Sequence, residues 1–469
     1  MTGLATFPSA ANLPLSTRLY GLLARYDGAA PRYTSYPPIP YWGEVDGDTV
    51  AGWLAEPRAG GEGSLSLYTH IPFCRERCHY CGCFVVITPH AHPAERYLAA
   101  VHQEMERVAA AMAAPPPVRQ YHLGGGTPNF ISAAAMEALV AKARACFPFA
   151  DDVEMSIEVD PRHLTPAEVR RLRELGFNRL SLGVQDFDAQ VQAGMNRVEP
   201  AEHVARIVDA ARQAGFLSVN FDLIYGLPHQ TQPRFEQTVR RVLQLGPDRL
   251  ALYNFAYLPQ AFPHQRKMDA AALPDKDEKL AIFLTARELF TGNGYQAIGL
   301  DHFARNDDEL AVAYRAGTMR RNFMGYTTQA GTDLVAFGLS GISEYNGRFW
   351  QNEKKLARYE RAVEAGQIPA VRGLLLDRED RLRQAIVGAL FCQGVVDFAA
   401  LGRHFDLDLG RHLALELADL EPLAADGLVT LAPDRLTVTE LGQFFLRNIA
   451  VVFDNRTRKG APVQFSRTV

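Results

Sequence analysis

The stretch "LSLYTHIPFCRERCHYCGC", residues 65–83, passes from a short apolar, β-branched run into four cysteines within ten positions. The run has the length and residue types of a buried strand, and the cysteines fall in the loop that follows its carboxyl end. The same grammar recurs downstream. Runs reading "VRQYHLGGG", "DVEMSIEVD", "NRLSLGVQDF", "SVNFDLIYGLP" and "DRLALYNFAYLP" each end in a polar or glycine-rich loop. Between them lie stretches with apolar residues at helical spacing, such as "PAERYLAAVHQEMERVAAAM" and "PAEHVARIVDAARQAG". Six strand–helix units in series predict an α/β fold with parallel strands joined by right-handed crossovers, hence a barrel or an open parallel sheet. Ligand chemistry in such folds sits at the carboxyl ends of the strands. The cysteine loop, "GGGTP", "EVDP", "GVQDF", "FDLIYGLP" and "NFAYLP" are all expected there, facing one cavity.

Three chemistries compete for Cys74, Cys78, Cys81 and Cys83. A structural zinc site uses two CxxC-type knuckles separated by a longer loop, so that four thiolates close a tetrahedron. Here the four cysteines are crowded together with no second knuckle. A CxxC redox couple opens a helix after a strand and needs no third or fourth cysteine. A cubane iron–sulfur cluster usually takes four cysteines. Cys83, separated from Cys81 by Gly82 alone, is read as turned away from an iron bound by Cys74, Cys78 and Cys81. One iron then lacks a protein ligand and is free to bind a substrate or cofactor. For Cys83, a bystander thiol and a role near substrate both stay open.

The 469 residues are 47% apolar and 22% charged with a formal net charge of −4, a soluble globular composition with no basic field to recommend nucleic acid. No apolar run reaches the ~18 residues of a membrane helix. The start, "MTGLATFPSAANLPLSTRLYG", has neither the basic region nor the unbroken apolar stretch of a signal peptide. The remaining cysteines, Cys146 and Cys392, sit in helical, apolar contexts far from the cluster. They read as buried small hydrophobes in a protein of the reducing cytosol.

Residues 1–60, rich in Pro, Gly and Ala, read as an arm wrapped on a core. Residues 61–364 carry the barrel, and from 365 a mainly helical domain follows. Its "LEPLAADGLVTLAPDRLTVTELGQFFLRNIAVVF" has a helix, a hairpin and a final helix in a winged-helix-like arrangement. The hairpin carries one Arg and an acidic neighbour, which favours a lid or packing module over a DNA reader.

The spacing C-x3-C-x2-C after a first barrel strand is joined in order by "PRYTSYP", "HLGGGTPNF", "SIEVDPR", "RLSLGVQDF", "NFDLIYGLPHQT", "DHFARNDDELA", "NFMGYTTQ" and "QFSR". This series, over nearly the whole chain, resembles the oxygen-independent coproporphyrinogen III oxidases (coproporphyrinogen dehydrogenases) of the radical S-adenosylmethionine (SAM) superfamily. The resemblance implies a partial (β/α)6 radical SAM barrel. It implies a [4Fe-4S] cluster on Cys74, Cys78 and Cys81 whose fourth iron chelates SAM. A 5'-deoxyadenosyl radical then removes a hydrogen from the β-carbon of a propionate, and loss of CO2 and one electron leaves a vinyl group. Two propionates of coproporphyrinogen III react, giving protoporphyrinogen IX in anaerobic haem biosynthesis. The protein's task is orientation and exclusion of water and oxygen. A flavodoxin or ferredoxin as electron donor and a monomeric state come with the same resemblance.

By that resemblance Tyr68, Gly125, Glu158 and Ile342 contact one SAM. Tyr80, Gly126, Thr127, Gln185, Arg197, Asp222 and Ala256 contact a second. Glycines let backbone amides approach a ligand closely, Arg197 offers a fork for a carboxylate, and Asp222 can balance an ammonium or sulfonium. Other readings stay open: a tight turn for "GGGTP", core packing for Tyr68 and Ile342, and an Arg197–Asp222 salt bridge. His70 either tunes a cluster sulfur or makes a structural hydrogen bond in the loop; His79, His90 and His92 have no ligand spacing. Arg32, Arg320, Arg321 and Arg467 are candidates for the substrate's propionates, and the arm and tail are candidate lids. Phe84 and Met324 depart from the family pattern, which has Asn and Gln there. A diverged paralogue that acts on another tetrapyrrole or transfers methyl groups and a haem-binding chaperone are the rival functions.

Overall fold

The computed structural model describes residues 15–26, 28–34, 36–58, 63–112 and 114–459. Among these, thirteen strands form one sheet. At its centre the six expected strands, Ser64–Ile71, Val118–Gly125, Phe149–Val159, Arg179–Gln185, Ser218–Tyr225 and Arg249–Asn254, lie side by side in chain order and pair parallel throughout. The helices between them are His92–Ala111, Ala133–Cys146, Pro166–Glu174, Ala201–Ala214 and Gln232–Leu245, with Lys276–Gly292 after the last. Their ends carry chemistry that fixes where each begins and stops. Thr165 and Glu168 form a reciprocal capping box, and Gly215 (φ 83°) and Gly246 (φ 61°) close two helices in the left-handed region.

The sheet is wider than the sequence reading. A seventh strand, Thr332–Phe337, adds parallel to the first. Beyond it Ile342–Tyr345, Arg348–Asn352, Ala370–Leu375 and Gly43–Glu44 continue antiparallel. At the other edge His302–Arg305 and Tyr295–Ile298 do the same. These short strands lack the strand–helix alternation that revealed the central six.

Side chains alternate across each strand. Leu65, Leu67, Tyr121, Leu123, Met155, Ile157, Leu180, Leu182, Phe221 and Leu223 are buried in the main apolar core. Their alternates, Ser66, Tyr68, His70, Gln120, His122, Glu154, Ser156, Glu158, Ser181, Asn220 and Asp222, take the opposite face and hydrogen-bond to one another within and between strands. The first strand, which reads as a continuous apolar run, thus has one apolar and one polar face. The polar faces make the lining of the site.

The chain divides into two compact units, residues 42–377 and residues up to Tyr41 together with those from Arg378. The strand Gly43–Glu44 and the helix Gly47–Ala55, placed in the arm by the sequence reading, belong to the sheet unit. In the other unit a three-stranded antiparallel sheet runs Val395–Asp397, Arg435–Val438, Val429–Ala432 among the helices Arg378–Gln393, Phe398–Phe405 and Ala414–Ala425. That is the strand order a winged-helix arrangement requires. The arm is bound into this unit: Tyr33 donates to Asp454 Oδ2 at 2.9 Å, Arg447 Nε to the Pro31 carbonyl at 3.1 Å and Asn448 Nδ2 to the Tyr26 carbonyl at 2.7 Å. No helix among the described residues is long and apolar enough to cross a membrane.

Candidate active site

The cysteine loop leaves the carboxyl end of the first strand and folds back on itself. Val86 N donates to the Pro72 carbonyl at 2.7 Å and Thr88 N to that of Cys74 at 3.0 Å. Within the loop Cys81 N bonds to the Cys78 carbonyl at 3.3 Å, and His264 Nε2 lies 2.7 Å from the Cys81 carbonyl.

Each of the three cysteines meets its own stabilising group. Cys74 Sγ lies 3.2 Å from Thr127 Oγ1, and Arg197 Nη1 donates to Cys78 Sγ at 3.7 Å. Cys83 N points at Cys81 Sγ at 3.5 Å. The hydrogen bond from the Cys83 thiol, working against burial, brings Cys81 down to about 6, while the Cys83 thiol is itself pushed well up. Burial pushes Cys74 up to about 11. Cys83 thus meets Cys81 rather than turning away from the three-cysteine loop, in a segment, residues 81–83, that forms no strand; side chains two positions apart would share a side even in an extended one. Among the described residues no three His, Cys, Asp or Glu side chains gather closely enough to hold one metal ion. Three spaced thiols on one loop, each met by a hydroxyl, guanidinium or amide, suit a cluster in which each thiolate serves a separate iron.

The "GGGTP" turn packs directly on this loop. A Cβ on Gly126 would stand 2.7 Å from the Pro72 backbone and 3.1 Å from Cys74 Sγ. Gly125, at φ +117°, would meet the His70 ring at 2.7 Å, and Gly124 the Glu158 carboxylate at 2.9 Å. Each glycine yields its space to a neighbouring functional side chain.

Glu158 is the hub beneath. Its carboxylate takes Gly125 N at 3.2 Å and lies 3.2 Å from His122 Nε2, whose Nδ1 is 2.6 Å from Ser156 Oγ. Burial opposes ionisation, but His122 and the Gly125 amide hold its carboxyl below the ordinary value. Tyr68 stacks on His122 with centroids 5.8 Å apart and bonds His70 Nδ1 at 3.1 Å. His70 Nε2 faces the Phe84 carbonyl at 3.0 Å, so His70 makes the structural hydrogen bonds and ties the first strand to the end of the cysteine loop. Its pKa is lowered by burial.

Arg197 is buried, 3.0 Å from Asp160 and 2.6 Å from the Gly183 carbonyl. Asp160 also pairs with Arg162 at 2.7 Å. Asp222, the alternative partner for Arg197, instead accepts from Ser181 Oγ at 3.1 Å and Asn220 Nδ2 at 3.0 Å. Burial, then the nearby Glu158 charge, pushes it up to about 6. Gln185 is buried in the left-handed region at φ 68°, and Tyr80 packs against the cluster of Val191, Met195, Ile224, Leu227, Phe255 and Met268. Ala256 is exposed with its carbonyl held by Gln265. Ile342 is buried on the strand extension beyond the first strand.

The family description "Radical SAM superfamily" matches residues 68–242 and "HemN C-terminal domain" residues 376–445. The oxygen-independent coproporphyrinogen III oxidase of Salmonella typhimurium is 43% identical over 449 residues, 96% of this chain and 98% of its own. That of Synechocystis is 41% identical over 453 residues, 96% and 97% of the two chains. The chain belongs to the oxygen-independent coproporphyrinogen III oxidase family. Its fold agrees with the solved structure of Escherichia coli coproporphyrinogen III oxidase, described as a radical SAM enzyme. The TM-score is 0.87 at 42% identity, covering 90% of this chain and 97% of that one. As a member of this radical SAM family the protein uses a [4Fe-4S] cluster and SAM.

Against this family's expectations the peripheral arginines are unremarkable in geometry. Arg320 Nη1 bonds the Met319 carbonyl at 2.9 Å, Arg321 lies over the Tyr326 ring at 5.2 Å, and Arg32 is exposed in the other unit. Arg467 lies outside the described residues. Met324 sits at a hairpin turn, its amide bonded to Asn322 Oδ1 at 2.9 Å, and Phe84 is 45% exposed. His79 faces the Gly194 carbonyl at 3.4 Å, and His90 and His92 are exposed. Sequence reasoning missed Asp160 and His122, though "EVDP" and "QYHLGGG" were both in view. The period-2 alternation of the strands is the signal that points His122 inward.

Proposed function

We propose that the protein oxidatively decarboxylates two propionate side chains of coproporphyrinogen III to vinyl groups, giving protoporphyrinogen IX in anaerobic haem biosynthesis. What carries this reading is the meeting, at one end of the sheet, of the three-cysteine loop, the Gly124–Thr127 turn and Glu158, in a chain matched end to end by coproporphyrinogen III oxidases.

Cys74, Cys78 and Cys81 would hold the cluster. When bound, the cluster and SAM supply the radical that removes the propionate hydrogen. Tyr68, Gly125, Glu158 and Ile342 would hold one SAM, Glu158 as an ionised, prepositioned acceptor for cationic or hydroxyl groups. Tyr80, Gly126, Thr127, Gln185, Arg197, Asp222 and Ala256 would hold a second. Arg197, fixed by Asp160, presents its remaining donors without the entropy loss of ordering a free side chain. A reduced flavodoxin or ferredoxin as donor, a monomeric state and a cytoplasmic location belong to the same proposal; thiols destined for iron need a reducing compartment.

The test is anaerobic cluster reconstitution followed by incubation with reductant, SAM and coproporphyrinogen III. Protoporphyrinogen and 5'-deoxyadenosine are expected together, and absence of both sinks the reading. Deoxyadenosine without protoporphyrinogen would indicate a paralogue with another substrate, and tight haem binding without SAM cleavage a chaperone.

A further inference from the structure

Two positive side chains on the sheet extension form no ion pair among the described residues. Lys354 and Arg372 make no ion pair or side-chain hydrogen bond to a carboxylate among the described residues, and both are half-buried. Lys354 carries its ammonium 5.1 Å from the centre of the Phe84 ring. Its pKa is lowered by burial and then by the charge of Arg372, with the Glu353 carboxylate only partly opposing them. The nearest carboxylate in sequence, Glu353, spends an oxygen on the Lys354 and Lys355 amides at 2.7 and 2.9 Å. Glu44, opposite Arg372 in register, is exposed and forms no ion pair with it. Ordinary surface cations are solvated and apart. Two half-buried cations that feel each other's charge cost free energy that a bound anion would return.

The topology puts this pair at the site. Strand Arg348–Asn352 runs in the same direction as the central strands, because two antiparallel pairings separate it from Thr332–Phe337. Lys354, just past its carboxyl end, therefore stands at the edge where the cysteine loop leaves the first strand. The register gives the face as well. Ala336 pairs with Tyr68 and Leu334 with Ser66. Leu334 pairs with Glu344, two residues from Ile342; Ile342 pairs with Gln351, and Gln351 with Arg372. Arg372 thus shares the face of the sheet that carries Tyr68.

We propose that Lys354 and Arg372 form an anion subsite that binds a propionate carboxylate of the tetrapyrrole, with the exposed Phe84 ring as the apolar surface beside it. This rests on the substrate reading above. A substrate with four carboxylates has two that do not react and need fixed counter-charges to set which ring faces the radical. Phe84, a departure from the family pattern, then takes part in seating the macrocycle next to the cluster loop.

The test is fluorescence titration of the reconstituted full chain with coproporphyrin III and with its tetramethyl ester, in wild type and in Lys354→Gln, Arg372→Gln and the double variant. Each lost charge-assisted contact should weaken coproporphyrin III about tenfold, with the ester unaffected and SAM binding by equilibrium dialysis unchanged. Lys354→Arg should keep the wild-type affinity. Wild-type affinity in the double variant overturns the subsite alone. An equal loss for acid and ester also overturns it, since shape rather than charge would be responsible. A wild-type chain that binds SAM but not coproporphyrin III overturns the substrate reading, and the subsite with it.

Discussion

The Asp160 carboxylate lies 3.0 Å from the Arg197 guanidinium, and both side chains are buried. Burial alone would raise Asp160, but Arg197 and then Arg162 bring its carboxyl below the ordinary value. Asp160 therefore holds Arg197 where one guanidinium nitrogen can face Cys78 Sγ. Asp160→Ala leaves two guanidinium groups without their carboxylate, a change expected to cost about 3–5 kcal/mol. Anaerobic denaturant unfolding reads the loss, and SAM affinity should fall with it. A variant with wild-type stability and affinity would show that Arg197 needs no anchor.

Gly126 is the tightest point between the glycine turn and the cysteine loop. Gly126→Ala puts a methyl group 2.7 Å from the Pro72 backbone and 3.1 Å from Cys74 Sγ. Backbone cannot rotate aside, so the loop must move, at about 1–3 kcal/mol. Iron and sulfide per chain after reconstitution should drop below the wild-type value. Unchanged iron content would refute the packing argument.

Asp222 must be ionised to balance a cationic ligand, and its pKa is pushed up to about 6. Its attraction for SAM is present above that value and lost as the pH falls through it. Equilibrium dialysis should find two SAM per chain at about pH 8 and one below about pH 6. Asp222→Asn should bind one throughout. Two bound SAM in that variant at low pH would remove Asp222 from the second site.

Glu104 is 1% exposed, accepts hydrogen bonds from Gly338 N, Asn352 Nδ2 and Tyr359, and is pushed by burial up to about 7. Its folded pKa exceeds the unfolded value of 4.5, so the folded state binds more protons between the two. Its contribution is full below about pH 4.5 and is lost as pH rises through about 7, a difference of roughly 3 kcal/mol. Urea midpoints at about pH 5 and about pH 8 should show this fall in wild type and its absence in Glu104→Gln. Parallel pH slopes in the two proteins would contradict it.

What the sequence determined by itself is the order of chemistry along the chain. Six apolar runs, each closed by an unusual loop, sufficed for the parallel sheet and for the end at which Cys74, Gly126, Glu158 and Asp222 meet, because strand periodicity and crossover handedness are local rules. Partnerships were decided elsewhere. Arg197 pairs with Asp160 rather than Asp222, and Cys83 meets Cys81 instead of turning away from the three-cysteine loop. Both outcomes depend on how loops from different strands pack, which no spacing encodes. The short antiparallel strands that carry Ile342 and place Lys354 and Arg372 at the same rim were invisible for the same reason. Each is too brief to show a period, and only pairing across the sheet gives it a face and a direction.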